Sequence, residues 1–166
     1  MATILPSMPA LDPRLADLLA RAPEVVFVCS GNVVRSAFAH LYAEHLGLPR
    51  RVRSLATRYR NPELFTETRS ALRARGVGEE ALAAFRPTFV AEGLAAVDPE
   101  AVLFGMRRHH LTPLGVHRPR AFLLPAVLGS GAEIADPVEE GADFAQTFAL
   151  VAQCVEALCR ELAEAR

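Results

Sequence analysis

An unbroken run of apolar residues, Val25-Val26-Phe27-Val28, constrains the fold more than any other feature of this chain. The run is β-branched and aromatic and lacks polar alternation, so it predicts a strand that is buried on both faces. A loop containing Gly and Asn follows, and from Ser36 a periodic apolar pattern predicts a helix that ends at Gly47. A buried strand, a loop and a helix in this order are typical of the βαβ units of a parallel sheet.

Strands and helices are predicted to alternate along the rest of the chain. Further strands are predicted over residues 51–56, 85–90, 101–106 and 120–124, and further helices over residues 13–22, 66–76, 108–114 and from about 143 onward. Pro87 weakens the strand at 85–90 or confines it to an edge, because proline cannot donate to a strand ladder. We therefore expect an α/β fold of three layers, a mainly parallel sheet of about four strands with helices on both faces. Ligands of such sheets bind at the carboxyl ends of the strands, which is where Cys29 falls.

The composition fits one folded domain and excludes several classes of function. At 166 residues, 51% of them hydrophobic, the chain can bury one core. A formal net charge of −1 argues against nucleic-acid binding, and no apolar run approaches the ~20 residues of a membrane span. We expect residues 1–23 to form an extension with a helix that begins at Asp12 and Pro13, and residues 24–166 to form the main domain. Three cysteines and the absence of a secretory signal pattern favour reduced thiols and a cytoplasmic location.

The loop after the buried strand pairs Cys29 with Arg35 across five intervening residues. This spacing alone does not identify a phosphate site, because Cys154 and Arg160 are also separated by five residues. The second pair lies within an amphipathic helix whose backbone amides are already hydrogen-bonded, so Cys154 and Cys159 are expected to be packing residues. The first pair stands between a strand and a helix N-terminus, which leaves backbone amides free for an anion.

The residues of this loop suit the binding of a phosphate group. Gly31 and Asn32 tolerate positive φ, so successive backbone N–H groups can curl inward around an anion. The Arg35 guanidinium can hold two phosphate oxygens at once, and the helix N-terminus adds partial positive charge. The same field favours the nucleophilic thiolate form of Cys29. This predicted phosphate loop comprises Cys29, Ser30, Gly31, Asn32, Val33, Val34, Arg35 and Ser36.

The run from Val26 to Asn32 and the pair Arg35-Ser36 closely resemble the signature of low-molecular-weight protein tyrosine phosphatases. That family also includes phosphoarginine phosphatases and thioredoxin-coupled arsenate reductases. The similarity extends over nearly all the chain after Pro23, and the Asp136-Pro137 pair resembles the family's aspartate-proline loop. The resemblance implies a phosphomonoester hydrolase that acts on phosphorylated proteins or small aryl phosphates. It also implies that no metal or cofactor is needed.

By this resemblance Cys29 attacks phosphorus in line while Arg35 and the loop amides hold the equatorial oxygens. Ser36 hydrogen-bonds the thiolate and makes it a better leaving group. Asn32 holds the left-handed kink of the loop, with Ser54 from the next strand as its partner. The resemblance thus assigns to Cys29, Asn32, Arg35 and Ser36 a part in binding or in transferring phosphate.

The resemblance makes Asp136 the general acid that protonates the departing oxygen and then the base that activates water. Asp98-Pro99 is the rival pair, but it precedes a strand and so lies at the end of the sheet away from Cys29. Asp136 follows a strand, so its loop can reach Cys29. His109, His110 and His117 are expected at the surface or at helix ends rather than around a metal, because no carboxylate or cysteine accompanies them at ligand spacing.

Several residues depart from the family pattern. Val34 replaces a second loop cysteine, so the nucleophile should lack a protective disulfide partner. Val33 is the branched apolar residue that is typical of members acting on phosphotyrosine, which favours an aryl phosphate substrate.

The pocket wall departs from the family as well. The aromatic residues that usually follow the aspartate-proline pair are absent, and Val138 and Glu139 stand there instead. Tyr59 or Arg60 is expected to supply part of the wall. Phe85 occupies the position of a family histidine that supports the loop network.

Two other functions stay open at this point. An arsenate reductase uses the same loop but needs further thiols, and Cys154 and Cys159 point away from each other on one helix, a poor arrangement for a relay to Cys29. A weakly catalytic phosphate-binding module on the same fold is the third reading. We expect no nucleic-acid or membrane partner, and the sequence leaves the oligomeric state undetermined.

Overall fold

The computed structural model describes residues 11–164, which form a parallel sheet of four strands. The strands are β1 (Glu24–Cys29), β2 (Arg51–Ala56), β3 (Val102–Gly105) and β4 (Ala121–Leu123), in the spatial order β2-β1-β3-β4. β1 pairs with a parallel neighbour on each side and every residue in it is buried. The unbroken apolar run thus forms the doubly covered strand that it predicts, and the α/β class is confirmed.

The helices follow the predicted alternation with the strands. They are α1 (Pro13–Arg21), α2 (Arg35–His45), α3 (Thr66–Ala74), α4 (Glu79–Ala84), the single turn α5 (Val90–Gly93) and α6 (Phe144–Glu164). Asp12 caps α1 by accepting a hydrogen bond from the N–H of Arg14. α2 ends just before Gly47, whose φ of 74° lies in the left-handed region that favours glycine. No helix within residues 11–164 is both long and apolar enough to cross a membrane.

The two faces of the sheet are covered in different ways. On one face α1, α2, α3 and α6 enclose the larger core, where Phe38 of α2 stacks on Phe148 of α6 with ring centroids 4.8 Å apart. On the other face Val26, Val28 and Leu103 pack beneath short 3-10 turns. The helix predicted over 108–114 belongs to these turns and has 3-10 geometry. The structure therefore has the predicted three layers, with short turns in place of long helices on the second face.

The predicted strand over 85–90 is wrong. Between α4 and α5 the chain is extended, but it makes only one bridge to the sheet, between Ala56 and Phe89. Thr88 accepts a hydrogen bond from the N–H of Ala56 at 2.7 Å. Pro87 offers no N–H to extend this contact, and the start of α5 turns the chain away from β2.

The N-terminal helix packs against the sheet domain. Leu15 and Leu19 of α1 are buried in the core shared with α6. Arg14 lies over the ring of Phe122 in β4, 5.4 Å from its centroid. The helix α1 therefore shares the core of the sheet domain.

Leu15→Ala tests whether α1 contributes to the core. Leu15 is fully buried, so the substitution should lower the free energy of unfolding by about 2–5 kcal/mol. Urea denaturation measures the change. Leu46→Ala removes the same atoms from a side chain that is 40% exposed, and its loss should be less than half as large. Equal losses would show that α1 is not part of the core.

Candidate active site

The phosphate loop leaves the carboxyl end of β1 at Cys29 and enters α2 at Arg35. Asn32 has a φ of 54° and is the one non-glycine residue with positive φ in the described range 11–164. Gly31 serves a different purpose from the one the sequence indicated. Its φ is not positive; instead, a Cβ there would lie 2.9 Å from Nδ2 of Asn61, so only glycine leaves room for that amide.

The carbonyl groups of the loop point away from its centre and are tied to the segment that follows β2. Cys29 O accepts from Thr57 N at 2.9 Å, Ser30 O from Arg58 N and Tyr59 N at 3.0 Å each, Gly31 O from Asn61 Nδ2 at 3.1 Å, and Val33 O from Thr68 Oγ1 at 2.7 Å. In a trans peptide the C=O and the next N–H point in opposite directions. The N–H groups of the loop therefore converge on the space in front of Cys29, which we call the anion hollow.

The Cys29 sulfur receives two hydrogen bonds from the start of α2. Its Sγ lies 3.0 Å from Ser36 Oγ and 3.4 Å from the Ser36 backbone N. Asn32 Nδ2 donates to the same Ser36 oxygen at 2.8 Å. Since that oxygen already accepts from Asn32, the Ser36 hydroxyl proton is directed to the sulfur. Both contacts therefore place a hydrogen-bond donor on the sulfur.

Arg35 and Asp136 meet beside the anion hollow. The guanidinium is 2% exposed, and it donates from Nη1 to Ile134 O at 2.7 Å and from Nη2 to Asp136 Oδ2 at 3.2 Å. A guanidinium has five N–H groups, so these two bonds leave donors for phosphate oxygens. The other Asp136 oxygen accepts from Val138 N at 2.8 Å, which orients the carboxylate. The structure thus brings Cys29, Arg35 and Asp136 to one place.

Asp98 lies at the opposite end of the sheet, as expected. Its backbone N–H donates to Glu24, the first residue of β1, at 3.3 Å, and its carboxylate faces Arg51 at the start of β2. These contacts place Asp98 beyond the amino ends of the strands and far from the loop at their carboxyl ends.

Ser54 does not partner Asn32, which corrects the sequence-based assignment. Ser54 stands opposite Phe27 in the sheet, short of the end of β1, and its Oγ contacts His40 Nδ1 of α2 at 2.7 Å. Asn32 Oδ1 accepts instead from Thr88 N at 3.0 Å. The segment after α4 passes the end of β2 and lies next to the loop. It therefore supplies the partner of Asn32, a place that the sequence assigns to β2.

The sequence suggests that Phe85 simply replaces a family histidine, and the structure around Phe85 differs from this. Phe85 packs edge-on against His40, with ring centroids 5.3 Å apart. A histidine is therefore present near this position, contributed by α2. His40 repeats the helical spacing from Ser36, and this was the available sequence signal for it.

The anion hollow belongs to a cavity of about 120 Å³, and we call the outer part of this cavity its mouth. Its rim comprises Tyr59, Asn61, Phe65, Asp136, Val138 and Glu139. Tyr59 donates its hydroxyl to Glu139 and so bridges the two loops that flank the mouth. Of the predicted wall residues, the structure places Tyr59, Val138 and Glu139 at the mouth.

Arg60 does not line the mouth, which corrects a second assignment. It pairs with Glu92 at 2.6 Å and lies over the Phe89 ring on the neighbouring surface. The ion pair with Glu92 and the contact with Phe89 hold the Arg60 guanidinium on that surface, away from the hollow. The second aromatic wall residue is Phe65, which the sequence analysis missed. Its backbone N–H donates to Val33 O at 3.3 Å, a contact between distant segments that no local pattern indicates.

The histidines near β3 differ in burial. His109 is exposed, whereas His110 is fully buried and His117 nearly so. Burial, with smaller contributions from the charges of Arg35, His109 and Arg107, lowers the pKa of His110 from 6.5 to about 3. Within residues 11–164 no three His, Cys, Asp or Glu side chains are grouped as metal ligands.

The two cysteines of α6 are poorly suited to a thiol relay. Cys154 is fully buried, and its burial raises the pKa of the thiol to about 12. Burial also raises the pKa of Cys159. Thiols with raised pKa values stay protonated at neutral pH and do not act as nucleophiles.

A thiol held in a converging set of backbone amides, beside a buried arginine, suits phosphoryl transfer to sulfur. Fold and site together define the class of cysteine-dependent phosphatases. Residues 24–166 match the family model described as low molecular weight phosphotyrosine protein phosphatase. The chain belongs to this family, as its motifs predict.

Solved structures of related proteins share the fold. The YwlE arginine phosphatase from Geobacillus stearothermophilus is 23% identical, with a TM-score of 0.63 over 85% of this chain and 90% of its own. The tyrosine phosphatase Wzb from Escherichia coli K30, in complex with sulphate, is 21% identical, with a TM-score of 0.64 over 86% and 97%. A low-molecular-weight phosphotyrosine phosphatase from Vibrio cholerae O395 is 20% identical, with a TM-score of 0.63 over 86% and 95%. No curated protein matches the chain.

The lowered pKa of His110 predicts a pH-dependent stability. The folded state holds this pKa near 3, against 6.5 for an ordinary histidine, so the contribution is full above pH 6.5 and is lost as the pH falls toward 3. Between pH 7 and pH 5 the wild type should lose about 2 kcal/mol more unfolding free energy than His110→Asn. Urea denaturation at both pH values measures this.

The exposed neighbour supplies the control for that comparison. His109→Asn should retain the pH dependence of the wild type. If His110→Asn loses stability between pH 7 and pH 5 as steeply as the wild type, His110 is not the titrating group.

Proposed function

We propose that this chain hydrolyses aryl phosphate monoesters and that phosphotyrosine in proteins is its leading natural substrate. The observation that carries the proposal is the cavity in front of Cys29, with Tyr59, Phe65, Val33 and Val138 among its lining residues. Flat rings gain contact area and favourable stacking between aromatic and apolar walls. A flexible alkyl phosphate gains less from such walls, so the shape of the mouth favours aryl leaving groups.

In the first chemical step Cys29 Sγ attacks phosphorus, forming the S–P bond as the P–O bond to the aryl group breaks. The loop amides, the N-terminus of α2 and Arg35 stabilise the negative charge on the equatorial oxygens. Asp136, in its protonated form, gives its proton to the departing aryl oxygen. The products of this step are the phenol and a phosphocysteine.

In the second step water attacks phosphorus and the S–P bond breaks. Asp136, now a carboxylate, removes a proton from the water. The Ser36 hydroxyl and backbone N–H, at 3.0 and 3.4 Å from the sulfur, stabilise Cys29 as the leaving thiolate. Inorganic phosphate then leaves and the site returns to its initial state.

Cys29→Ser tests the nucleophile and Asp136→Asn tests the acid, each on substrates that differ in their leaving group. Cys29→Ser should reduce turnover of every aryl phosphate to the uncatalysed background. Asp136→Asn should slow phenyl phosphate by about 10²-fold or more, and dinitrophenyl phosphate much less, because a good leaving group needs no proton. Steady-state kcat values measure both effects. Equal slowing of the two substrates would remove Asp136 as the acid.

Phe65→Ala tests the aromatic wall. Loss of the ring should raise KM for phenyl phosphate severalfold and leave inhibition by inorganic phosphate unchanged, because phosphate does not reach the wall. Arg60→Ala is the matched control, since Arg60 faces away from the mouth, and its KM should equal that of the wild type. The proposal for an aryl-binding wall fails if the two variants have the same KM.

Phosphoarginine is the second candidate substrate. Two carboxylates, Asp136 and Glu139, line the mouth, and a guanidinium leaving group can donate hydrogen bonds to them. The relation to an arginine phosphatase adds support. A comparison of kcat/KM for a phosphotyrosine peptide, phosphoarginine and phenyl phosphate decides between the two, and the proposal requires both aryl substrates to exceed phosphoarginine.

The remaining alternatives have less support. Arsenate reduction would need a thiol relay, and the raised pKa values of Cys154 and Cys159 argue against one. A weakly catalytic phosphate-binding module predicts phosphate binding with no turnover in the wild type. A nucleophilic thiolate persists best in a reducing compartment, so we place the protein in the cytoplasm.

A further inference from the structure

His110 uses both of its ring nitrogens in hydrogen bonds. Nδ1 accepts from the backbone N–H groups of Met106 at 3.2 Å and Arg107 at 2.9 Å, just after β3. A backbone N–H can only donate, so Nδ1 carries no proton. The proton of the neutral ring therefore resides on Nε2, and the backbone at the end of β3 selects this tautomer.

Nε2 faces Ser30, the residue that follows the nucleophile. The distance from Nε2 to Ser30 Oγ is 3.0 Å, and both residues are buried. Because Nε2 carries the proton, Ser30 Oγ accepts this bond. Ser30 also accepts at its backbone oxygen from Arg58 N and Tyr59 N. The loop is thus held at Ser30 from the β3 side by its side chain and from the β2 side by its backbone.

The direction of the bond from His110 determines what the Ser30 hydroxyl can do next. A hydroxyl has one proton to donate, and no protein atom within residues 11–164 accepts it. Ser30 lines the anion hollow together with Cys29 and Arg35. The proton is therefore available to an oxygen of an anion bound in the hollow.

The fold makes a specific space for His110. β3 ends in Gly105, where an added Cβ would lie 3.1 Å from His110 Cβ and 2.7 Å from Leu111 Cδ2. A side chain at this position would crowd Leu111 and the Cβ of His110, so glycine leaves His110 the space it occupies. The close approach indicates that the strand end and the histidine form one unit.

We propose that His110 is a positioning residue for phosphate binding, which orients the Ser30 hydroxyl as a hydrogen-bond donor to a phosphoryl oxygen. The inference rests on one part of the proposed function, the binding of a phosphate group in the hollow. A ring that stays neutral provides this orientation without adding a charge beside Arg35. Ser30 supplements the backbone amides and the guanidinium, and His110 acts only through Ser30.

Binding of inorganic phosphate, measured by calorimetry, tests the proposal without requiring turnover. Ser30→Ala removes the donor, and His110→Asn keeps an acceptor for the strand-end amides but is too short to reach Ser30. Each variant should weaken phosphate binding roughly tenfold, the loss of one hydrogen bond to a charged group. The double variant should bind phosphate no more weakly than either single variant, because both changes remove the same interaction.

Two further variants separate positioning from a general structural role. His110→Gln restores an N–H donor near the position of Nε2 and should recover most of the phosphate affinity, even if its melting temperature stays low. His109→Asn, at the exposed neighbouring position, should bind phosphate like the wild type. If His110→Asn does not fold, Ser30→Ala and His110→Gln still test the proposal, since the first must weaken binding and the second must preserve it.

Three outcomes overturn the proposal. They are wild-type phosphate affinity in Ser30→Ala, wild-type phosphate affinity in a folded His110→Asn, and losses that multiply in the double variant. A wild-type protein that binds phosphate but hydrolyses no phosphate ester would refute the proposed function and leave this inference standing.

Discussion

Backbone N–H groups that converge on one space repel one another, because their positive ends face the same point. An empty phosphate loop therefore needs bonds on its outer side to keep its shape. In this chain the outward carbonyls of Cys29, Ser30, Gly31 and Val33 are tied to residues 57–68, the segment between β2 and the early part of α3. The loop is set for an anion before the anion arrives, which is the source of its catalytic effect.

The other parts of the site depend on that arrangement. Ser36 can stabilise the sulfur only because Asn32 occupies the second side of its hydroxyl, and Asn32 is held in turn by Thr88. Arg35 is fixed by Ile134 and Asp136, and these contacts bring the proposed acid into the same space. The segment that anchors the loop also supplies Tyr59 and Phe65 to the mouth. In the proposed function, anion binding and the choice of leaving group are therefore linked through one stretch of chain.

The sequence predicts those features that depend on neighbours along the chain. β1, the phosphate loop and the start of α2 form one continuous segment, so their pattern was sufficient. The partner of Asn32, the direction of Arg60 and the role of Phe65 depend on how distant segments cross the end of β2, which no local pattern contains. The contact of His110 with Ser30 was not predicted for the same reason, since it joins the segments that follow two different strands. The predicted strand at 85–90 was wrong because Pro87 lacks an N–H for the sheet and α5 turns the chain away from it.

The central claim is that Cys29 becomes phosphorylated during turnover. The direct measurement is mass spectrometry of an Asp136→Ala variant, quenched in acid shortly after mixing with dinitrophenyl phosphate. This substrate loads the enzyme without an acid, and the missing base slows hydrolysis of the intermediate. The account predicts that one phosphoryl group accumulates on the peptide carrying Cys29 and is absent from Cys29→Ser/Asp136→Ala. Turnover of the substrate by the wild type with no phosphorylated Cys29 in the trapped variant would contradict it.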